Sequence, residues 1–268
     1  MWKPPLISLL TDFGTDDAFV GVMKGVIAGI CPDARVVDVT HAVPRHNIAA
    51  AAFHLAAAFP YFPEGTIHVV VVDPGVGSGR KVVAMASRGH IFIAPDNGVL
   101  TLVERGHGHS KLVEATNKRF FLPEVSATFH GRDVFAPVAA HVAGGLSLDE
   151  LGPAMTEICL APVAEAHADS QGVMHGVVLW SDRFGNLITN IPADMLEGIG
   201  QREVLRVRIG NRTVEGLSRT YADAAAGEPL AMIGSFGHLE IAVRLDNAAK
   251  VLDVNIGAPV QVAAKAGG

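Results

Sequence analysis

The segment TIHVVVVD, Thr66 to Asp73, is apolar at nearly every position and stops abruptly at a carboxylate. A strand that is apolar on both of its alternating faces has to be covered on both, which favours a mainly parallel sheet between two layers of helices. The chain around it keeps that pattern up to about Pro162. LISLL leads into TDFGTDDAFVGVMKGVIAGI, where Phe19, Val22, Met23, Val26, Ile27 and Ile30 recur at helical spacing until Cys31-Pro32 ends the run. RVVDV reads as a second strand, NIAAAAFHLAAAF as a second helix, KVVAMAS and HIFIAP as a further strand pair, and GVLTLVERG and VFAPVAAHVAGG as later helices. Residues 1–162 are therefore expected to form an N-terminal α/β domain.

The stretch APVAEAHADSQG, Ala161 to Gly172, is small, polar and unpatterned, as a connection between two cores is. Beyond it the period falls to two. Leu205, Val207 and Ile209 alternate with Arg206 and Arg208, Gly210-Asn211 supplies a turn, and RTVEG returns. GVVLWSD with NLITNI and LAMIGS with HLEIAV read as two more hairpins, and APVQVAA as a last strand. Residues 172–268 are expected to form a smaller antiparallel, barrel-like β domain.

A formal charge of -6 over 268 residues, with no run of lysine or arginine, offers nothing to a nucleic-acid backbone. Cys31 and Cys159 lie in no metal-binding or redox spacing and read as reduced, buried thiols. The opening MWKPPLISLLTDFG lacks a long apolar core and a cleavage site, and no apolar run is long enough to span a membrane, so a cytoplasmic protein is expected.

In an open parallel sheet, ligands bind outside the carboxyl ends of the strands. Asp12 after LISLL, Asp73 after VVVV, and Asp96 and Asn97 after IFIAP all fall there. For Thr11 and Asp12 the competing role is capping of the helix that follows. The loop VVVVDPGVGSGR leaves Asp73 and comes back to Arg80, which makes either a surface ion pair or part of a site. Its glycines match neither the GxxxxGK phosphate loop nor the GxGxxG dinucleotide pattern. In TFHGRDVFAPVAAHVAGG, His130, Arg132 and Asp133 open a helix, and His130 is the best general acid-base candidate among twelve histidines. His107 and His109 read as a solvated loop. Asp12, Asp16, Asp17, His41, His46 and His130 are the right types for a divalent ion, but without ligand spacing they leave metal-dependent nucleotide hydrolysis a secondary reading.

Taken together and in order, TDFG with the following Asp16-Asp17 and MKG, VVDPGVGSGR, IAPDNGVL, TFHGRDVFAPVAAHVAGG, SDRFGNLITNI and IGSFGHLEIAV resemble the adenosine-forming S-adenosyl-L-methionine (SAM) hydrolases. These are also called SAM hydroxide adenosyltransferases and are relatives of fluorinase and chlorinase. The resemblance implies an α/β domain followed by a β-barrel-like domain, a homotrimer with SAM at the subunit interfaces, and hydrolysis to adenosine and L-methionine without a metal or other cofactor. It implies that Asp73, Arg80 and His130 surround the attacking water. It further implies that Asp12 accepts from the ribose hydroxyls, Asp182 faces the methionine amino group, Phe184 stacks on adenine, Asn186 hydrogen-bonds it, and Ser235 and Glu240 complete the methionine end. The halogenases carry a tyrosine in place of Asp73, a serine in place of Gly131 and an insertion before HIFIAP, so the resemblance implies hydrolysis and not halide transfer. His46 and Phe236 stand where those relatives use tryptophan and arginine. A SAM- or adenosine-binding sensor without turnover is the alternative from another class; binding alone would not need Asp73, Arg80 and His130 together.

Overall fold

The computed structural model describes residues 4–162 and 164–265. Residues 1–3, 163 and 266–268, which include the outer ends of both expected domains, lie outside the described residues. The chain divides into two compact units, Met1–Pro162 and Val163–Gly268.

The first unit contains β1 (Leu6–Thr11), α1 (Phe19–Ile30), β2 (Arg35–Thr40), α2 (Ile48–Ala58), β3 (Ile67–Val71), β4 (Val82–Ser87), β5 (His90–Pro95), α3 (Thr101–His107), β6 (Lys111–Glu114) and α4 (Ala136–Ala143). Its sheet has the order β2-β1-β3-β5-β4-β6. β1, β2, β3 and β5 pair in parallel, and β4 alone runs against its neighbours β5 and β6. Alternate residues divide between two cores. Ile7, Leu9, Ile67, Val69, Val71 and Ile93 meet Met23 and Ile27 of α1 and Val138 and Ala139 of α4. On the other face Ser8, Leu10, His68, Val70 and Phe92 are buried, along with the Ala50–Phe53 stretch of α2. The expected mainly parallel sheet, covered by helices, is present.

The second unit contains β7 (His167–Ala168), β8 (Met174–Ser181), β9 (Leu187–Pro192), α5 (Ala193–Glu197), β10 (Leu205–Ile209), β11 (Arg212–Glu215), β12 (Pro229–Ile233), β13 (His238–Val243), α6 (Ala248–Val251) and β14 (Pro259–Ala264). Its sheet runs β11-β10-β14-β8-β9-β13-β12, with β7 beside β8, and its paired strands are antiparallel. Just past β11, Ser218 donates its N–H to Ala231 of β12 at 2.8 Å, which curls the two ends of the ladder towards each other. Leu205, Val207 and Ile209 are buried while Arg206 and Arg208 are exposed, as their alternation requires.

Two sequence readings change. Cys159 is exposed, whereas Cys31 packs in the first core; both are free. Helix α1 starts only at Phe19, and its buried face is Val20, Met23 and Ile27, leaving Phe19 and Val22 partly in solvent.

Candidate active site

The strand order begins 2-1-3, so the winding of the first unit reverses between β1 and β3, and a crevice opens at the carboxyl ends of those two strands. Asp12 directly follows β1, and Asp73 stands two residues beyond the end of β3. Both line an open cleft of about 290 Å³, together with Phe13, Phe19, Phe129 and His130.

Asp73 and Arg80 meet because β4 is the reversed strand. A parallel β4 would have required the chain to cross back to the far edge of the sheet; an antiparallel one lets residues 72–81 stay at the carboxyl edge. The loop turns through Val76 N–H to Asp73 O (3.2 Å) and Ser78 N–H to Gly75 O (3.1 Å). Gly77 has φ +77, and a Cβ there would lie 2.5 Å from Ala127 O, so only glycine lets the loop pass this close. Arg80 Nε then donates to both Asp73 oxygens at 2.9 Å and Nη2 donates to Oδ2. With side chains 9 % and 5 % exposed, this is not the surface ion pair that remained open in the sequence.

His130 enters from the other side. Residues Gly131–Phe135 form one turn of π-helix ahead of α4, and the two ends of this turn grip the same guanidinium. Arg80 Nη2 lies 2.8 Å from His130 Nδ1, and its Cζ stands 5.3 Å from the centre of the Phe135 ring. A guanidinium can only donate, so Nδ1 accepts and the neutral ring carries its proton on Nε2. Burial, then the nearby Arg80 charge, lowers the His130 pKa from its ordinary value, with Asp73 and Asp133 opposing. The neighbouring Arg132 and Asp133 serve the scaffold: the fully buried Asp133 carboxylate accepts from Arg132 Nε at 2.5 Å and from Ser126 N–H at 2.8 Å. A Cβ on Gly131 would sit 3.2 Å from Met23 Sδ and from the Phe129 ring, so a side chain here would press on the wall of the cleft.

Asp12 does not cap α1, whose N-cap is Ala18 with no side-chain hydrogen bond. Its Oδ2 instead accepts the N–H of His46 at 2.8 Å; His46 adopts the left-handed φ of +63. Phe13, Phe19 and Phe129 form an aromatic corner beside it, with ring centres 5.0–6.0 Å apart. Asp96 and Asn97, also at a strand end, act elsewhere. Asp96 accepts from Cys159 N–H at 2.7 Å, and Asn97 donates to Val72 O at 2.9 Å, which holds the end of the strand that presents Asp73. His107 packs on Phe59 and His109 bonds Glu104, so neither is simply solvated. Among the described residues no three histidine, cysteine, aspartate or glutamate side chains converge as metal ligands; Asp12, Asp16, Asp17, His41, His46 and His130 do not form such a group.

In the second unit, the turn 182–186 is folded around its own aspartate. Asp182 Oδ1 accepts the N–H groups of Phe184 and Asn186, both at 2.9 Å, and Oδ2 accepts from Asn186 Nδ2 at 3.0 Å. Gly185, at φ +87, is pressed against Asn247, leaving no room for a Cβ. The turn holds the Phe184 ring 77 % exposed. Glu240 on β13 belongs to the same cluster through Tyr221, whose hydroxyl donates to Oε1 at 2.5 Å and lies 3.5 Å from Asn186 Nδ2. Burial raises the Glu240 pKa, and the Asp182 charge adds to this against the Tyr221 bond; burial and Glu240 in turn raise that of Tyr221. Ser235 lies in the tight turn that links β12 to β13, closed by Gly237 N–H to Gly234 O at 3.0 Å. Tyr221, Phe13 and Phe129 were not singled out in the sequence. Tyr221 sits in RTYADAAAGEP, which has no motif, and reaches its partners only through the fold.

The two halves of the chain match two family models in sequence: the SAM hydroxide adenosyltransferase N-terminal domain over residues 7–152 and the corresponding C-terminal domain over residues 176–261. This chain belongs to the SAM hydroxide adenosyltransferase family. It is 38 % identical to the (R)-S-adenosyl-L-methionine hydrolase of Thermus thermophilus, covering 96 % of this chain and 98 % of that one, and 34 % identical to the hydrolase of the same name from Methanocaldococcus jannaschii, covering 93 % and 92 %. A fluorinase from an Actinoplanes species is 33 % identical over 89 % of this chain and 90 % of its own. Among solved structures, a conserved protein from Thermotoga maritima superposes with a TM-score of 0.90 at 38 % identity, covering 96 % of this chain and 99 % of that one.

Proposed function

We propose that this enzyme hydrolyses SAM by attack of water at C5′, releasing adenosine, L-methionine and one proton. The observation that carries the reading is the half-buried Asp73–Arg80–His130 array on the wall of a cleft whose opposite strand end presents Asp12. The methionine sulfur leaves as a neutral thioether, so the chemical demand is to align one water in a site that excludes others. Arg80 fixes the Asp73 carboxylate, which retains lone pairs to accept a hydrogen bond from that water. His130 Nε2–H donates to the same oxygen. The water becomes strongly acidic only as its bond to carbon forms, so a carboxylate is a sufficient base, and Asp73 takes the proton. This differs from a role for His130 in proton removal, because Arg80 already occupies Nδ1.

Asp12 accepts from the two ribose hydroxyls, and the phenylalanine corner provides ring faces for a sulfonium. Asp182, Phe184, Asn186, Ser235 and Glu240 bind adenine and the methionine end, with Tyr221 holding Glu240 and Asn186. The active form is a homotrimer in which one subunit's first unit is completed by its neighbour's second. The reaction uses no metal or other cofactor and takes place in the cytoplasm. The related hydrolases reported above are named for the R epimer of SAM, and we assign the same sulfonium configuration to this chain's substrate.

The deciding experiment incubates the purified protein with each sulfonium epimer in EDTA and separates the products by chromatography. Adenosine and methionine in equal amounts, faster from the R epimer, are expected. Binding without product would favour the sensor, and product only after a divalent ion is added back would overturn the metal-free mechanism.

A further inference from the structure

We propose that His41 is a positioning residue for ribose recognition: with Thr11 and Asp38 it fixes the turn that aims Asp12 into the cleft. This rests on the reading of Asp12 as the ribose acceptor.

His41 is 5 % exposed and follows β2, the strand paired with β1. Its Nδ1 lies 2.9 Å from Thr11 Oγ1, and that oxygen accepts the N–H of Phe13 at 3.2 Å. The backbone carbonyl of His41 accepts the N–H of Gly14 at 2.8 Å. Five residues on, His46 donates its N–H to Asp12 itself. The segment 41–46 therefore grips residues 11–14 at three points, and Asp12 lies between two of them.

On its far side the ring is anchored. His41 Nε2 stands 3.1 Å from Asp38 Oδ1, an ion-pair distance without hydrogen-bond alignment, and Lys24 on α1 holds the other Asp38 oxygen at 2.7 Å. Partial burial would raise the Asp38 pKa, but the hydrogen bond and charge of Lys24, with His41 close by, reverse this and lower it. A nitrogen facing a carboxylate carries the ring proton, leaving Nδ1 to accept from the Thr11 hydroxyl. The order aspartate, histidine, hydroxyl is that of a hydrolytic triad, yet Thr11 is 0 % exposed. No substrate reaches that oxygen, so the array orients a backbone turn and performs no covalent chemistry.

The test measures adenosine and 2′,3′-dideoxyadenosine affinity by calorimetry, and SAM kinetics, for wild type and for Thr11→Val, His41→Gln and Asp38→Asn. Wild type is expected to prefer adenosine. Thr11→Val and His41→Gln should weaken adenosine binding about tenfold, the scale of one or two hydrogen bonds, and leave the dideoxy affinity nearly unchanged. KM for SAM should rise with little change in kcat, and Asp38→Asn, a surface change that tests the anchor should the core variants fail to fold, should shift the preference in the same direction by less. Equal weakening of both nucleosides, or full preference retained in the variants that fold, would overturn the proposal. A wild type indifferent to the ribose hydroxyls would instead overturn the reading of Asp12.

Discussion

Arg80 is held by a carboxylate, an imidazole and an aromatic ring at once, and its removal would leave Asp73 as an unpaired, nearly buried charge. Breaking such a pair typically costs about 3–5 kcal/mol, so Arg80→Ala confounds catalysis with stability. Asp73→Asn and His130→Asn keep the shape of the site and give the cleaner comparison. Both should lower kcat with modest change in KM, and His130→Asn, which disturbs a hydrogen-bond donor and leaves the base in place, by less than the ~10²–10⁴-fold typical of acid-base groups. Because burial and Arg80 lower the His130 pKa from its ordinary 6.5, the ring is mostly neutral at that pH and above, and any acid limb that it contributes should lie below 6.5. A kcat/KM profile whose acid limb lies at or above 6.5, or survives in His130→Asn, would contradict this assignment. The Asp73–Arg80 meeting could be anticipated because both belong to one loop, and His130 because it stands in a distinctive motif. The Tyr221–Glu240 contact and the His41–Thr11 contact could not, since each joins residues with no shared pattern, 19 and 30 positions apart.

At the scale of elements, the near-continuous apolar runs that mark β1, β3 and β5 as strands conceal a polar chain inside the sheet. Ser8 Oγ lies 2.7 Å from His68 Nδ1, and His68 Nε2 lies 3.1 Å from His90 Nδ1, one residue from each of three adjacent strands. Burial, helped by His90, lowers the His68 pKa to about 3, while in the unfolded chain it keeps its ordinary 6.5. Between those values the unfolded state binds more protons, so folding stability should decline as pH falls from 6.5 towards 3 and be insensitive to this group above 6.5. Urea titrations should show that decline, and His68→Leu should flatten it even though the variant is less stable throughout; an unchanged slope would exclude His68 as the source. Strand positions were legible from their apolar runs. The π-helical turn was not, because five residues cannot separate its period from that of an α-helix. The late start of α1 was not either, because the hydrogen bonds that hold residues 11–14 as a loop come from the segment after β2.

At the scale of the molecule, the change from near-continuous apolar strands to strict alternation after Gly172 carried the fold class of both units in the sequence, whereas the assembly of the site left no periodic trace. Asp73, Arg80 and His130 belong to the first unit; Asp182, Asn186 and Glu240 belong to the second. On the proposal of a homotrimer with sites shared between subunits, mixing Asp73→Ala chains with Asn186→Ala chains should restore activity in hybrids, measured after subunit exchange has been verified by mass spectrometry; inactive hybrids would refute the shared site. Within the first unit, the single reversed strand also sets how the site assembles. Arg80 lies 7 residues from Asp73, whereas His130 lies 50 from Arg80. Loop-closure entropy makes the longer connection costlier by roughly 1.5–2 kcal/mol. The carboxylate and guanidinium can thus find each other in a short excursion of the chain, and the imidazole arrives only when the helix that carries it docks, so that a local opening of that helix would withdraw the donor that helps hold the water while the base and its arginine stayed paired.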